Sequence, residues 1–166
     1  MLGEFRKVER DDLKKLFELK KETQNSVNGI FIKTFEEQLQ WYENTLKSNE
    51  TYPLIYEIDG KSVGFFLVRD IDWICRHNIF SYYLFSESRG KGFGKSLLSD
   101  GLEFCFNVLN MEKVYGEVLK DNIISAKIMK SCGFSLVGIR KNHVFKNGNF
   151  IDVLHYEILK NEWRKI

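Results

Sequence analysis

The amino-acid sequence predicts a single mixed α/β domain over residues 1–166, and three observations carry that reading. Apolar residues change several times between the helical and the strand period, as interleaved helices and strands require. A glycine-rich stretch, Arg89 to Lys95 (R-G-K-G-F-G-K), joins a strand-like run ending at Phe85 to a helical pattern over Ser96 to Leu109. The next strand-like run, Val114 to Leu119, is then reached through a helix, so the crossover rule sets it parallel to the strand before the turn.

Phe5 to Val8 reads as a first strand, and Asp11 with Asp12 opens a helix carrying Leu13, Leu16 and Phe17. Thr23 to Ile32, rich in Asn and containing Gly29, breaks the pattern as a loop able to shape a substrate pocket, with Asn25 as a contact candidate. Thr34 and Glu37 form a capping-box signature for a second helix whose apolar face is predicted to hold Phe35, Leu39, Tyr42 and Leu46. Leu54 to Ile58 and Val63 to Ile71 read as a hairpin around Asp59-Gly60, because those residues accept the positive φ of its turn. A strand over Ile74 to Phe85 leads into the glycine-rich turn. In the helix that follows, Leu97, Leu98, Gly101, Leu102, Cys105, Phe106 and Leu109 make a wide buried stripe. Asp121 or Asn122 begins a short helix that Gly133 ends, and Ser135 to Phe145 and Phe150 to Leu159 form a last hairpin about Asn147-Gly148.

Composition narrows the class. A formal net charge of +2 lacks the concentrated basic footprint of nucleic-acid binding. The charged start of the chain and the lack of any apolar run of membrane-spanning length predict a cytoplasmic protein with no membrane partner. Cys75, Cys105 and Cys132 have neither disulfide nor metal-ligand spacing, so reduced thiols and no metal are expected.

The turn carries the chemistry. Gly90, Gly92 and Gly94 let the backbone approach a ligand closely, and the helix that follows offers unpaired N–H groups and the positive end of its dipole. With Arg89, Lys91 and Lys95 this is a pyrophosphate site; the plain alternative is a surface turn that caps a helix. A dinucleotide fingerprint is excluded by the glycine spacing and by the lack of a later acidic partner. A P-loop is excluded because Arg89 stands where its first glycine belongs.

The match R-x-x-G-x-G, at Arg89, Gly92 and Gly94, resembles the acetyl-coenzyme A loop of the GNAT N-acetyltransferases, and the order of elements resembles that fold over nearly the whole chain. The resemblance implies a twisted mixed sheet of about seven strands, about four flanking helices and a splay between strands 4 and 5 that admits the pantetheine arm of acetyl-CoA. It places backbone groups of Leu84 and Phe85 along that arm, amides of Gly90, Lys91, Gly92, Phe93, Gly94 and Lys95 on the pyrophosphate, and Asn122 and Ser125 beside the arm. A narrower resemblance lies in Asp70-Ile71-Asp72-Trp73 with Arg76, Gly116 to Leu119, His143 to Gly148 with Asp152-Val153, and Glu162-Trp163. These segments, with Phe35-Glu36-Glu37 and Trp41, are similar to the nucleotide-sugar N-acetyltransferases of pseudaminic acid synthesis. That similarity implies the 4-amino group of a UDP-linked amino sugar as acceptor. The sister group, ribosomal-protein alanine and polyamine acetyltransferases, gives the alternative acceptors, and a noncatalytic coenzyme A-binding module is a third reading. Homodimerisation through the terminal strands is implied as well.

Direct acetyl transfer needs a proton acceptor for the amine and a donor for the leaving thiolate. In the family a tyrosine seven residues after the helix-opening Asn often serves as the donor; here that position is Met129, which leaves Ser125, a nearby tyrosine or water. A common glutamate position in the fourth strand is Ile79 here. Glu117, which alternation sets on one face with Tyr115 and Leu119, is the first candidate for the base, ahead of His77 and Asp72. Trp73 is a candidate for stacking on the acceptor, as against a core position. Cys132 reads as a covalent nucleophile or a packed thiol, and His143 with Asp152 as a catalytic pair or a cross-strand hydrogen bond.

Overall fold

The computed structural model of the chain describes residues 3–23 and 34–165; Asn25 lies outside the described residues. Two residue pairs with positive φ close the sheet's tight hairpins. Asp59 (φ 51°) and Gly60 (φ 71°) join β2 (Tyr52–Ile58) to β3 (Lys61–Asp72), while Asn147 (φ 49°) and Gly148 (φ 80°) join β6 (Ser135–Lys146) to β7 (Asn149–Leu159). Both central residues in the left-handed region give the turn whose twist matches that of paired strands, so both sequence signals hold.

With β1 (Gly3–Lys7), β4 (His77–Leu84) and β5 (Lys113–Leu119), these strands form one seven-stranded sheet in the order β1-β2-β3-β4-β5-β7-β6. The β4–β5 pair is parallel, as the crossover through α3 (Phe93–Glu103) requires. One face packs on α3 and on α4 (Ile123–Ser131), burying Phe66, Leu97, Leu98, Leu102, Phe106 and Tyr156. The other packs on α1 (Leu13–Thr23) and α2 (Phe35–Lys47), burying Leu13, Leu16, Ile55 and Phe65. Among the described residues no helix is long and apolar enough to cross a membrane.

Several elements differ from expectation. A 3-10 turn over Arg10–Asp12 precedes α1, with the Asp12 carboxylate accepting the Glu9 N–H at 2.8 Å. Residues 74–76, expected as strand, form a turn: Asp72 Oδ1 accepts the N–H groups of Ile74 (2.9 Å) and Cys75 (2.7 Å), and Arg76 is left-handed (φ 57°). Asp72 thus draws the chain out of the sheet, and β4 starts only at His77. In α2 the Thr34–Glu37 capping box is present, yet Phe35 and Leu46 are exposed while Gln38 and Thr45 are buried. The helix has rotated to set Gln38, Trp41, Tyr42 and Thr45 inward, an equally good i, i+3, i+4, i+7 row that a purely apolar criterion passes over. α3 starts three residues earlier than predicted because left-handed Gly92 (φ 83°) serves as its N-cap. Beyond Glu103 it widens into a π turn over Phe104–Val108, where Leu109 N–H donates to Phe104 O at 3.0 Å. Cys105 and Phe106 within that turn are both buried.

Candidate active site

The site begins where β4 and β5 part. They pair only at His77–Lys113, Asn78–Val114 and Ile79–Tyr115. Beyond this, Gly116 is crowded by the Phe80 ring and the Met129 methyl, both about 3.0 Å from where a Cβ would stand, and the strands diverge. The gap is a cleft of about 320 Å³. Phe80 to Leu84 of β4 and Gly116 to Leu119 of β5 wall it, and Arg89, Gly94, Asn122, Ser125, Ile128 and Met129 complete one side. Glu22 and Thr23, at the end of α1, reach the other.

The glycine turn lies at the end of β4. Gly90 (φ 75°) and Gly92 (φ 83°) are left-handed, and among the described residues no atom beyond their chain neighbours lies within 4 Å of a Cβ built at either, so the backbone is open there to a ligand. Among the described residues no side chain caps the first turn of α3, which leaves its N–H groups to an anion, with exposed Lys91 beside them. Gly94 lets α3 approach α4, since a Cβ there would stand 3.0 Å from Ile128 Cδ1. Arg89 is held at the junction: its Nε donates to Leu84 O (3.1 Å) and its Nη2 to Glu22 (3.0 Å). On the opposite strand, Asn122 caps α4 by accepting the Ser125 N–H at 3.2 Å. Anion donors at one end of a narrow, mostly apolar cleft suit a molecule with a phosphate head and a long thin arm.

Of the residues predicted from sequence, Leu84, Arg89, Gly94, Glu117, Asn122 and Ser125 come together around the cleft. Phe85 does not: it is buried, its N–H donates to Val63 O (3.1 Å), and Lys15 Nζ sits 4.0 Å above its ring. His77 stands at the closed end of the β4–β5 pair, its ring edge-on to Tyr115 (5.7 Å) and its Nε2 3.9 Å from Asp72. Asp72, Cys75 and His77 bring one potential metal-ligand atom each within 4.8 Å of one another, in a turn apart from the cleft. Trp73 belongs to that same turn, with Nε1–H donating to Asn49 O at 3.0 Å, because the turn at 73–76 carries it off the cleft side of β4. Cys132 is packed: its thiol lies 3.9 Å from Lys95 O, and burial pushes its pKa up. His143 and Asp152 do not pair with each other. Arg140 donates to His143 (3.0 Å), and Asp152 accepts from Lys120 Nζ (2.8 Å) and Asn142 N–H (2.9 Å) across a bulge in β6.

Glu117 has company that sequence reading missed. Arg140 Nη2 donates to its Oε1 at 2.8 Å, and His155 Nε2 lies 3.7 Å away. His155 is the direct cross-strand partner of Glu117 in the β5–β7 register. Burial, then Arg140, lower the His155 pKa, and Glu117 opposes them, so the imidazole is neutral at pH 7 and able to take a proton. The available signal was the strand alternation of β7, which sets His155 on one face with Val153 and Glu157; the register itself was missing.

Comparison with known proteins agrees with this architecture. Residues 5–155 match the family described as Acetyltransferase (GNAT) domain. The spermidine N(1)-acetyltransferase of Vibrio cholerae is 27% identical over 162 residues, covering 95% of this chain and 93% of the relative. Its counterpart from Escherichia coli K12 is 25% identical over 162 residues, covering 95% and 86%. The crystal structure of the Vibrio cholerae spermidine N-acetyltransferase in complex with CoA and spermine superposes with a TM-score of 0.92 at 25% identity, covering 96% of each chain. The parallel β4–β5 splay, the glycine turn at its end and a family match over nearly the whole length lead to one conclusion: the chain belongs to the GNAT acetyltransferases and is an acetyl-CoA-dependent N-acetyltransferase.

Proposed function

We propose that this enzyme acetylates a primary amine of a polyamine of the spermidine class. The likeness to spermidine acetyltransferases along 95% of the chain is the observation that carries the reading. Two carboxylates, Glu22 and Glu117, line the cleft, each ion-paired with an arginine, Arg89 and Arg140. The sequence pointed first to a UDP-linked amino sugar, with a peptide N-terminus or polyamine as rivals. The relatives favour the polyamine, and Trp73, the expected stacking platform for the sugar nucleotide, packs away from the cleft.

In this reading the amides of Gly90 to Lys95, with Arg89 and Lys91, hold the pyrophosphate, and Leu84, Asn122 and Ser125 flank the pantetheine arm. The neutral amine attacks the thioester carbonyl carbon, the C–N bond forms and the C–S bond breaks. Glu117, with His155 beside it, receives the proton that the amine nitrogen sheds. We also propose self-association through β6. This strand forms the outer edge of the sheet and exposes Leu136, Val137 and Ile139, and one Vibrio cholerae spermidine acetyltransferase structure is described as dodecameric.

Coenzyme A release from acetyl-CoA, measured in parallel with spermidine, an alanine-terminated peptide and a UDP-linked 4-amino sugar, tests the acceptor. Turnover with spermidine at a kcat/KM at least tenfold above the others is expected. Turnover with the sugar or the peptide alone overturns the polyamine reading.

A further inference from the structure

A buried hydroxyl normally finds a hydrogen-bond partner. Among the described residues a few buried side-chain polar atoms have none, on Gln38, His77, Asn78, Tyr82, Ser99 and His155; of these residues, only Tyr82 lines the β4–β5 cleft. Its ring alternates along β4 with Phe80 and Leu84, points to the α4 face and leans on Phe80 at 6.1 Å. The Ser125 hydroxyl faces the Tyr82 hydroxyl without closing a hydrogen bond. Met129, which carries no exchangeable proton, fills the adjacent wall. Tyr83 points the other way and stacks on Phe65.

We propose that the Tyr82 hydroxyl is the proton donor to the departing thiolate of coenzyme A. The proposal rests on acetyl-CoA occupying the cleft as described above. The Tyr82 O–H, buried in the cleft wall, lacks one partner, and an anionic sulfur formed at the splay supplies it. Burial pushes the Tyr82 pKa up to about 12, with Ser125 acting in the opposite direction, so the hydroxyl carries its proton at neutral pH. As the C–S bond breaks, its electron pair goes to sulfur, the Tyr82 proton follows, and coenzyme A leaves as the thiol. The tyrosinate regains a proton from solvent through the Ser125 hydroxyl. The amine proton has gone separately to the Glu117 side, so the sum is amine plus acetyl-CoA to amide plus thiol.

Tyr82→Phe removes the hydroxyl alone. Three measurements on it are decisive: melting temperature, coenzyme A affinity by calorimetry, and kcat for spermidine acetylation. An unchanged or raised melting temperature is expected, since the lost oxygen has no partner, together with coenzyme A affinity within twofold of wild type and kcat lower by at least tenfold. Incorporating 3-fluorotyrosine at position 82, which keeps a hydroxyl, is expected to hold kcat within about threefold. A kcat for Tyr82→Phe within twofold of wild type overturns the proposal. So does a loss of coenzyme A affinity as large as the loss of kcat, which marks a wall residue, or a 3-fluorotyrosine protein as slow as the phenylalanine variant. Wild-type protein that binds no coenzyme A, or acetylates no amine, overturns instead the reading of the cleft on which the proposal rests.

Discussion

Lys20 is held in a place that disfavours its charge. Its ammonium sits 4.6 Å from the Trp41 ring centroid, in an apolar niche with Leu16, Leu19, Phe65 and Tyr83, and burial pushes its pKa from 10.5 down to about 8. A depression of that size amounts to about 3 kcal/mol against the charged folded state. The Trp41 face offsets about 1 kcal/mol of this, and residual solvent contact offsets part of the remainder, so about 1–2 kcal/mol is left. Lys20→Met keeps the packing and removes the charge. At about 2–4 °C per kcal/mol for a domain of this size, the variant is expected to melt about 2–8 °C above wild type at pH 7. The sign of the pH dependence follows from linkage. Below about pH 8 Lys20 is charged in both states and the folded state carries the full cost. Between about pH 8 and 10.5 the unfolded chain holds the proton that the folded one has released, so stability rises and the cost fades. The gap between the variant and wild type therefore narrows as pH rises through that window. Calorimetric melting at pH 7, 8.5 and 10 reads it. A variant that melts below wild type at pH 7, or a gap that is constant with pH, shows that burial of the Lys20 charge does not cost the fold stability.

Three further variants probe the site and the sheet edge. Gly92→Ala puts a Cβ into open space but at φ 83°, which costs an L residue about 1–2 kcal/mol. The turn shifts to relieve this, and coenzyme A affinity by calorimetry is expected to fall at least tenfold while the fold remains. Glu117→Gln keeps the shape and removes the charge; kcat is expected to fall by about 10²- to 10⁴-fold with coenzyme A affinity unchanged. Because Glu117 opposes the downward pull on His155, an NMR titration of the same variant should find that imidazole lowered further. Val137→Lys with Ile139→Lys places charges on the exposed edge strand, and light scattering is expected to show a smaller assembly than wild type.

What the sequence made legible was local. Asp59-Gly60 and Asn147-Gly148 announced their hairpins because few residue pairs accept two positive φ angles, and Thr34 with Glu37 announced the start of α2 because both partners of the box lie within one turn. The glycine turn was readable for the same reason, and the parallel β4–β5 pair followed from the crossover. What escaped was set by pairing and by single side chains acting over a few residues. Asp72 redirects two backbone N–H groups and so moves the start of β4 and takes Trp73 with it. His155 meets Glu117 only through the β5–β7 register, which pairs residues 38 positions apart along the chain at this point, and no local pattern encodes that match. Gln38 turned inward although it is polar, which shifted the buried face of α2.

We propose that acetyl-CoA binds in the splay between β4 and β5, closed by the turn at Gly90 to Lys95. Amide hydrogen exchange with and without acetyl-CoA tests it most directly. Protection concentrated at residues 82–84, 90–96 and 122–126, with the turn at 73–76 unchanged, is the predicted result; protection elsewhere, or none at the start of α3 under saturating acetyl-CoA, rules out the splay as the coenzyme site.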